Sequence, residues 1–198
     1  AYSTFSYCKN RYSRKEEWIC THLTWVSHVS GKRESRRVVG DYILREQDLT
    51  RPIVHEDATC TTTWRIDQHY PDPRNADKYP GEEWMSIGVL TPIDFYPLPY
   101  RCFYSKDIPN LFMAGRNISV SHIALGSTRV MRTCGLIGEV VGMAASICTK
   151  KKANPRDVYT TYFEDLKALM RKGTGRTDVP YTQFYHQVDR TGHQAEDR

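Results

Sequence analysis

The sequence predicts an α+β fold, on three observations. Residues 1 to about 105 are rich in Thr, Tyr, Trp, Val and Pro, and short β-favouring runs such as Thr21–Val29 end at turn signals such as Ser30-Gly31. Leu111-Phe112-Met113-Ala114 is an apolar run of buried-strand type that stops at Gly115. Two helical patterns follow, one from Thr128 to about Thr149 and one from 154 to 172.

The first zone, 1–105, reads as an incomplete antiparallel sheet with long excursions. Pro71, Pro73, Pro80, Pro92, Pro97 and Pro99 make its later part loop-rich. The second zone, 106–150, opens with a turn at Ile108-Pro109-Asn110, passes through the apolar run, and enters the long helix. Ser127 or Thr128 can cap that helix. Gly135, Gly138, Gly142 and Ala145 fall on one of its faces. Each glycine costs roughly 0.8–1.0 kcal/mol relative to alanine in a helix, so three on one face predict close packing of a backbone or a flat ligand. The third zone, 151–198, holds a helix with Asn154 as N-cap, Pro155 at the first position and Gly173 as its stop, then a polar tail.

Composition excludes little beyond the extremes. The chain has 198 residues, 39% hydrophobic and 26% charged, enough for one domain or two small ones. No apolar run approaches the roughly 18 residues of a membrane span, and the first residues lack the pattern of a signal peptide. The compartment stays open. The net charge of +5 is modest. Arg33, Arg36 and Arg37 form one basic cluster and Lys150, Lys151 and Lys152 another, both shorter than a nucleic-acid stripe. Cysteines at 8, 20, 60, 102, 134 and 148 have no C-x-x-C spacing, and no Cys/His cluster predicts a metal site.

Chemistry concentrates at the start of the long helix. Arg129 and Arg132 sit there, and cations at a helix N-terminus cost roughly 0.3–1 kcal/mol each. An anion bound to the free N–H groups removes that cost. Pairing of the arginines with nearby carboxylates such as Glu139 or Asp107 removes it equally well.

The segments Asn110–Ser119 and His122–Ala145 resemble the C-terminal return of FAD-dependent oxidoreductases, closest to a bacterial family of that description. Gly31–Leu44, Trp64–Pro71 and Pro99–Lys106 resemble it too, in the expected order, so the likeness spans roughly residues 20 to 150. It implies a substrate-domain portion followed by the last strand and long helix of an FAD-binding domain. It implies that Ala114, Gly115 and Arg116 meet the FAD ribityl and pyrophosphate. The loop Leu125-Gly126-Ser127-Thr128 and Arg129 would then face the flavin N1 and C2 carbonyl. It further implies hydride transfer between a small-molecule substrate and flavin. Two departures stand out. Arg116 replaces the acidic residue that many relatives use on a ribityl hydroxyl. No G-x-G-x-x-G occurs, so the half that grips the ADP portion is expected outside this chain. The chain alone is then expected to bind FAD weakly or not at all, to be inactive, and to associate into homo-oligomers that cover its bare faces.

His69 and His122 are the candidate acid–base residues. Fumarate-reductase-type relatives place a substrate-binding arginine before the loop; here the nearest position is Ala124, so that substrate is not implied. Two other readings remain open. The 13 Tyr and 4 Trp would suit a carbohydrate-binding module, and the chain could equally be an inactive remnant of a flavoenzyme.

Overall fold

The structure is a computed structural model that describes residues 2–28, 34–51, 53–71, 73, 77 and 86–174. The turn at Ser30-Gly31 and the tail from 175 lie outside the described residues. Two compact units divide the chain, Ala1–Arg33 and Glu34–Arg198.

In the first unit, helix α1 (Tyr2–Asn10) is followed by a 3-10 turn, Lys15–Trp18. Phe5 and Trp18 meet edge to face at 6.5 Å. Lys9 Nζ donates to the carbonyls of Ile19 (3.2 Å) and Thr21 (2.8 Å). The strand expected at Thr21–Val29 does not form across Thr21–His28. A strand without a neighbour has no ladder to satisfy its backbone, so β-favouring residues alone do not make one.

The second unit is α+β. Helix α2 (Glu46–Thr50) precedes four short strands: β1 (Ala58–Thr62), β2 (Ile66–Pro71), β3 (Ser86–Thr91) and β4 (Tyr96–Pro99). They pair as two antiparallel ribbons, β1 with β4 and β2 with β3, not as one sheet. The β1–β4 register runs from Ala58 opposite Pro99 to Thr62 opposite Tyr96, with an irregularity between Ala58 and Thr61. Pro97 and Pro99 offer β4 no N–H, which restricts its ladder. Around these ribbons the chain makes single bridges. Leu44 pairs with Val120, and Phe112 with Tyr104. Leu111–Ala114 therefore contributes one bridge residue and not the full strand its apolar run predicts.

Four helices complete the unit: α3 (His122–Thr128), α4 (Met131–Lys151), α5 (Pro155–Thr160) and α6 (Phe163–Lys172). The helix expected from Thr128 begins instead at Met131, because the chain breaks at Arg129-Val130 and Val130 is extended (ψ 148°). Neither Ser127 nor Thr128 caps it. The residues before the break already form α3, which Ser121 caps by accepting from the Ala124 N–H at 3.3 Å. The helix expected over 154–172 is also two, broken at Thr161-Tyr162. Asp157 O accepts from both of those N–H groups (2.9 and 3.2 Å), which ends α5. Asn154 and Asp157 do form the N-terminal box of α5, with Pro155 at its start. Gly173 ends α6 with φ 69°.

The core lies between the β1–β4 ribbon and the inner face of α4, closed by α5 and α6. Thr133, Leu136, Ile137, Val140, Ala144 and Ile147 form that inner face. Tyr96, Tyr100 and Tyr104 are fully buried within the core. Tyr100 OH donates to Pro155 O at 2.8 Å, so a buried hydroxyl is satisfied where α5 begins.

No backbone of the described residues packs closely on the outer face of α4. A Cβ placed on Gly135, Gly138 or Gly142 meets nothing within 4 Å among the described residues. At 21 residues, α4 is long and apolar enough to cross a membrane by length and composition alone. Its inner face is nonetheless part of the protein core, as above.

Candidate flavin-end site

Gly115 has φ 93°, a left-handed backbone that a side chain would strain. That conformation turns the chain after Ala114, so the segment passes the first turns of α4. A Cβ on Gly115 would meet Cys134 Sγ at 4.0 Å, and Arg116 acts electrostatically on the same thiol. Burial pushes the Cys134 thiol up, and Arg116 opposes that shift. Ala114 and Arg116 are exposed. The N-terminus of α4 itself has no side-chain cap and no acidic residue in its first turn. Arg132, in that turn, is exposed.

Leu125, Gly126, Ser127 and Thr128 are not a loop but the buried body of α3. A Cβ on Gly126 would lie 2.5 Å from Gln68 Nε2 and 2.8 Å from Asp67 O. This glycine therefore clears space for β2, not for a cofactor. Gln68, buried in β2, donates from Nε2 to Ile123 O (2.9 Å) and His122 O (3.4 Å), which fixes the start of α3. The Ser127 hydroxyl donates to Trp64 O at 2.7 Å and lies 3.0 Å from Thr62 Oγ1, which Thr133 Oγ1 contacts at 3.3 Å. That hydroxyl is consumed by internal bonds linking β1, α3 and α4. Thr128 Oγ1 is the contrast: it is fully buried and has no hydrogen-bond partner among the described residues.

Arg129, the last residue of the turn out of α3, does pair with a carboxylate, that of Asp67. Its Nη2 donates to Asp67 Oδ2 at 2.9 Å and to Asp67 O at 3.3 Å. Both side chains are more than four-fifths covered. The second oxygen, Asp67 Oδ1, lies 3.1 Å from His69 Nε2. The other histidine looks elsewhere. His122 Nδ1 lies 2.7 Å from Glu34 Oε2, and Arg37 bonds the same carboxylate. Burial works to raise the Glu34 carboxyl, but the hydrogen bonds from His122 and Arg37 prevail and hold it below its ordinary value.

The structure thus brings Gly115, Arg116, Thr128 and Cys134 together beside the start of α4. It places His69, Asp67 and Arg129 in one chain of contacts and sends His122 to a separate carboxylate, that of Glu34. Asp67 and Gln68 were missed as site residues. The alternation of strand β2, within Trp64–Pro71, is the signal that could have found them: positions 67 and 69 share one face and 66 and 68 the other. No group of three or more His, Cys, Asp or Glu that could hold a metal occurs among the described residues.

No curated protein and no solved structure matches the chain. The sequence model of the family described as FAD dependent oxidoreductase matches residues 6–170, a wider span than the quoted motifs cover. With that match over most of its length, the chain belongs to the FAD-dependent oxidoreductase family.

Proposed function

We propose that this chain supplies the flavin end of the cofactor site in an FAD-dependent oxidoreductase, with the N-terminus of α4 meeting negative charge on the cofactor. The observation that carries this reading is the bare start of a 21-residue helix, without cap or acid. Free N–H groups at such a terminus favour an anion. The residues there fit such a group in two further respects. Gly115 holds a backbone conformation that brings its neighbours close, and the buried Thr128 hydroxyl lacks a partner among the described residues. Gly126 and Ser127 do not fit, since β2 and internal hydroxyls occupy their surroundings. Gly115, Arg116 and the first N–H groups of α4 would therefore hold the cofactor, and Leu125–Thr128 would act by supporting them. Bound FAD supplies the two-electron chemistry itself.

The fit is local and the dinucleotide fingerprint is absent, so the isolated chain should bind FAD weakly. An FAD titration followed by amide chemical shifts tests the placement. The expected changes fall on residues 115–116 and 131–133. Changes confined to other segments, or none at the highest soluble FAD concentration, would remove the assignment. Packing divides the aromatics behind the carbohydrate-module reading: Tyr2, Tyr7, Trp25, Trp64 and Tyr70 are exposed. Tyr96, Tyr100 and Tyr104, part of the aromatic content behind it, are core residues with no exposed ring face.

A further inference from the structure

Helices α3 and α4 meet at a joint that carries no local device to set its angle. Neither Arg129 nor Val130 is a glycine or a proline, Val130 is extended (φ −73°, ψ 148°), and α4 has no side-chain cap. The joint is held from outside. The Arg129 N–H closes α3 on Leu125 O at 3.0 Å, and the Cys134 N–H opens α4 on Val130 O at 2.9 Å. Between these two bonds the Arg129 side chain crosses to β2, where Nη2 donates to Asp67 Oδ2 at 2.9 Å and to Asp67 O at 3.3 Å. Gly126 lies three residues earlier, on the same face of the helix. It meets the backbone of the same aspartate, since a Cβ there would lie 2.8 Å from Asp67 O and 3.0 Å from Asp67 N. One strand residue therefore touches α3 at two points, the second of them at the joint.

Charge points the same way. An unmatched cation just ahead of a helix opposes its dipole, and Arg129 stands two residues before Met131, the first residue of α4. The Asp67 carboxylate matches that cation, and both side chains are more than four-fifths covered. The charge of Arg129 is thus spent inside the protein. What the terminus offers to an anion is its first N–H groups.

We infer that Asp67 and Arg129 are positioning residues of the flavin end: the pair ties the α3–α4 joint to β2 and so holds the first N–H groups of α4 in place, without Arg129 touching the cofactor. This rests on the flavin-end reading above, in which those N–H groups meet negative charge.

The test uses the whole chain with Arg129→Met, Arg129→Lys, Asp67→Ala and the double variant Arg129→Met/Asp67→Ala. Amide hydrogen exchange reads the joint. Arg129→Met and Asp67→Ala should each speed exchange at the Cys134 amide roughly tenfold or more, the scale of a lost hydrogen bond to a charged group. The Val140 and Ile147 amides, farther along α4, should change much less. Because the two residues act through each other, the double variant should exceed neither single one. FAD-induced amide shifts then separate a strut from a ligand. A strut predicts that Asp67→Ala weakens the response at 131–133 as much as Arg129→Met does. A ligand predicts that Asp67→Ala, by releasing Arg129, keeps or strengthens that response, and this result overturns the inference. So does protection lost evenly along α4 in a variant that still melts cooperatively, or Cys134 exchange left unchanged by either single variant. Arg129→Lys, which keeps a cation and a nitrogen donor, guards against a variant that fails to fold. Its Cys134 exchange and FAD response should stay near wild type, and loss of both overturns the inference. Wild type without FAD-induced shifts at 131–133 would count against the flavin-end reading, and the exchange results would still decide whether the pair fixes the joint.

Discussion

At Gly126 the distance between two backbones leaves no room for a single carbon. Gly126→Ala must push α3 off β2, because two of the three atoms a Cβ would meet are backbone atoms of Asp67. Overpacking of this kind costs about 1–3 kcal/mol, and a urea melt should read a loss in that range. Asp41 gives a prediction in pH. The Arg156 hydrogen bond holds its carboxyl below the ordinary value of 3.8, against the pull of burial. A depressed carboxylate contributes stability that is complete above the unfolded value and is lost as pH falls through the folded one. The contribution should therefore be full near neutrality and fade below pH 3.8. Asp41→Asn should lower stability at neutral pH and flatten the acid limb of a stability–pH curve. An acid limb unchanged from wild type would show that Asp41 carries none of it.

Helices were legible as pattern and illegible as boundaries. The spacing of Leu136, Ile137, Val140, Ala144 and Ile147 marks the inner face of α4, and Asn154-Pro155 marks the start of α5. The breaks at Arg129-Val130 and Thr161-Tyr162 have no proline or glycine to announce them. The first coincides with a side chain tied to a strand 62 residues earlier, and a long-range bond leaves no local signature. For the same reason Gly126 could be marked from sequence as a place of close approach, while the strand that approaches it could not. A close approach is written in the glycine, but its partner is written elsewhere in the chain. The outer face of α4 adds a prediction of its own. Gly138 and Gly142 have open space around them, so Gly138→Ala and Gly142→Ala should each stabilise the chain by about 0.5–1 kcal/mol, the helix-propensity difference. Destabilisation in thermal or urea melts would mean that this face is covered in solution.

Over the whole second unit, apolar groups remain outside the core. Met131 at the start of α4 is 92% exposed, and Leu90 and Phe95 are about half exposed. Large apolar patches generally find cover by association. Light scattering is accordingly expected to give a dimer or larger species at micromolar concentration. A monomer throughout, with a cooperative melt, would show that the unit tolerates these faces bare. The seat of α3 on β2 also has a kinetic consequence. Helices α4, α5 and α6 pack on one another within residues 131–172, a set of contacts that close small loops. The Asp67–Arg129 contact closes a loop of 62 residues. Loop entropy and contact order place the short-range set early and the strand–helix seat late on the folding path. Damage at a seat formed after the barrier leaves the folding rate alone and appears in unfolding. In stopped-flow measurements Gly126→Ala should lift the unfolding arm of the chevron and leave the refolding arm where it was.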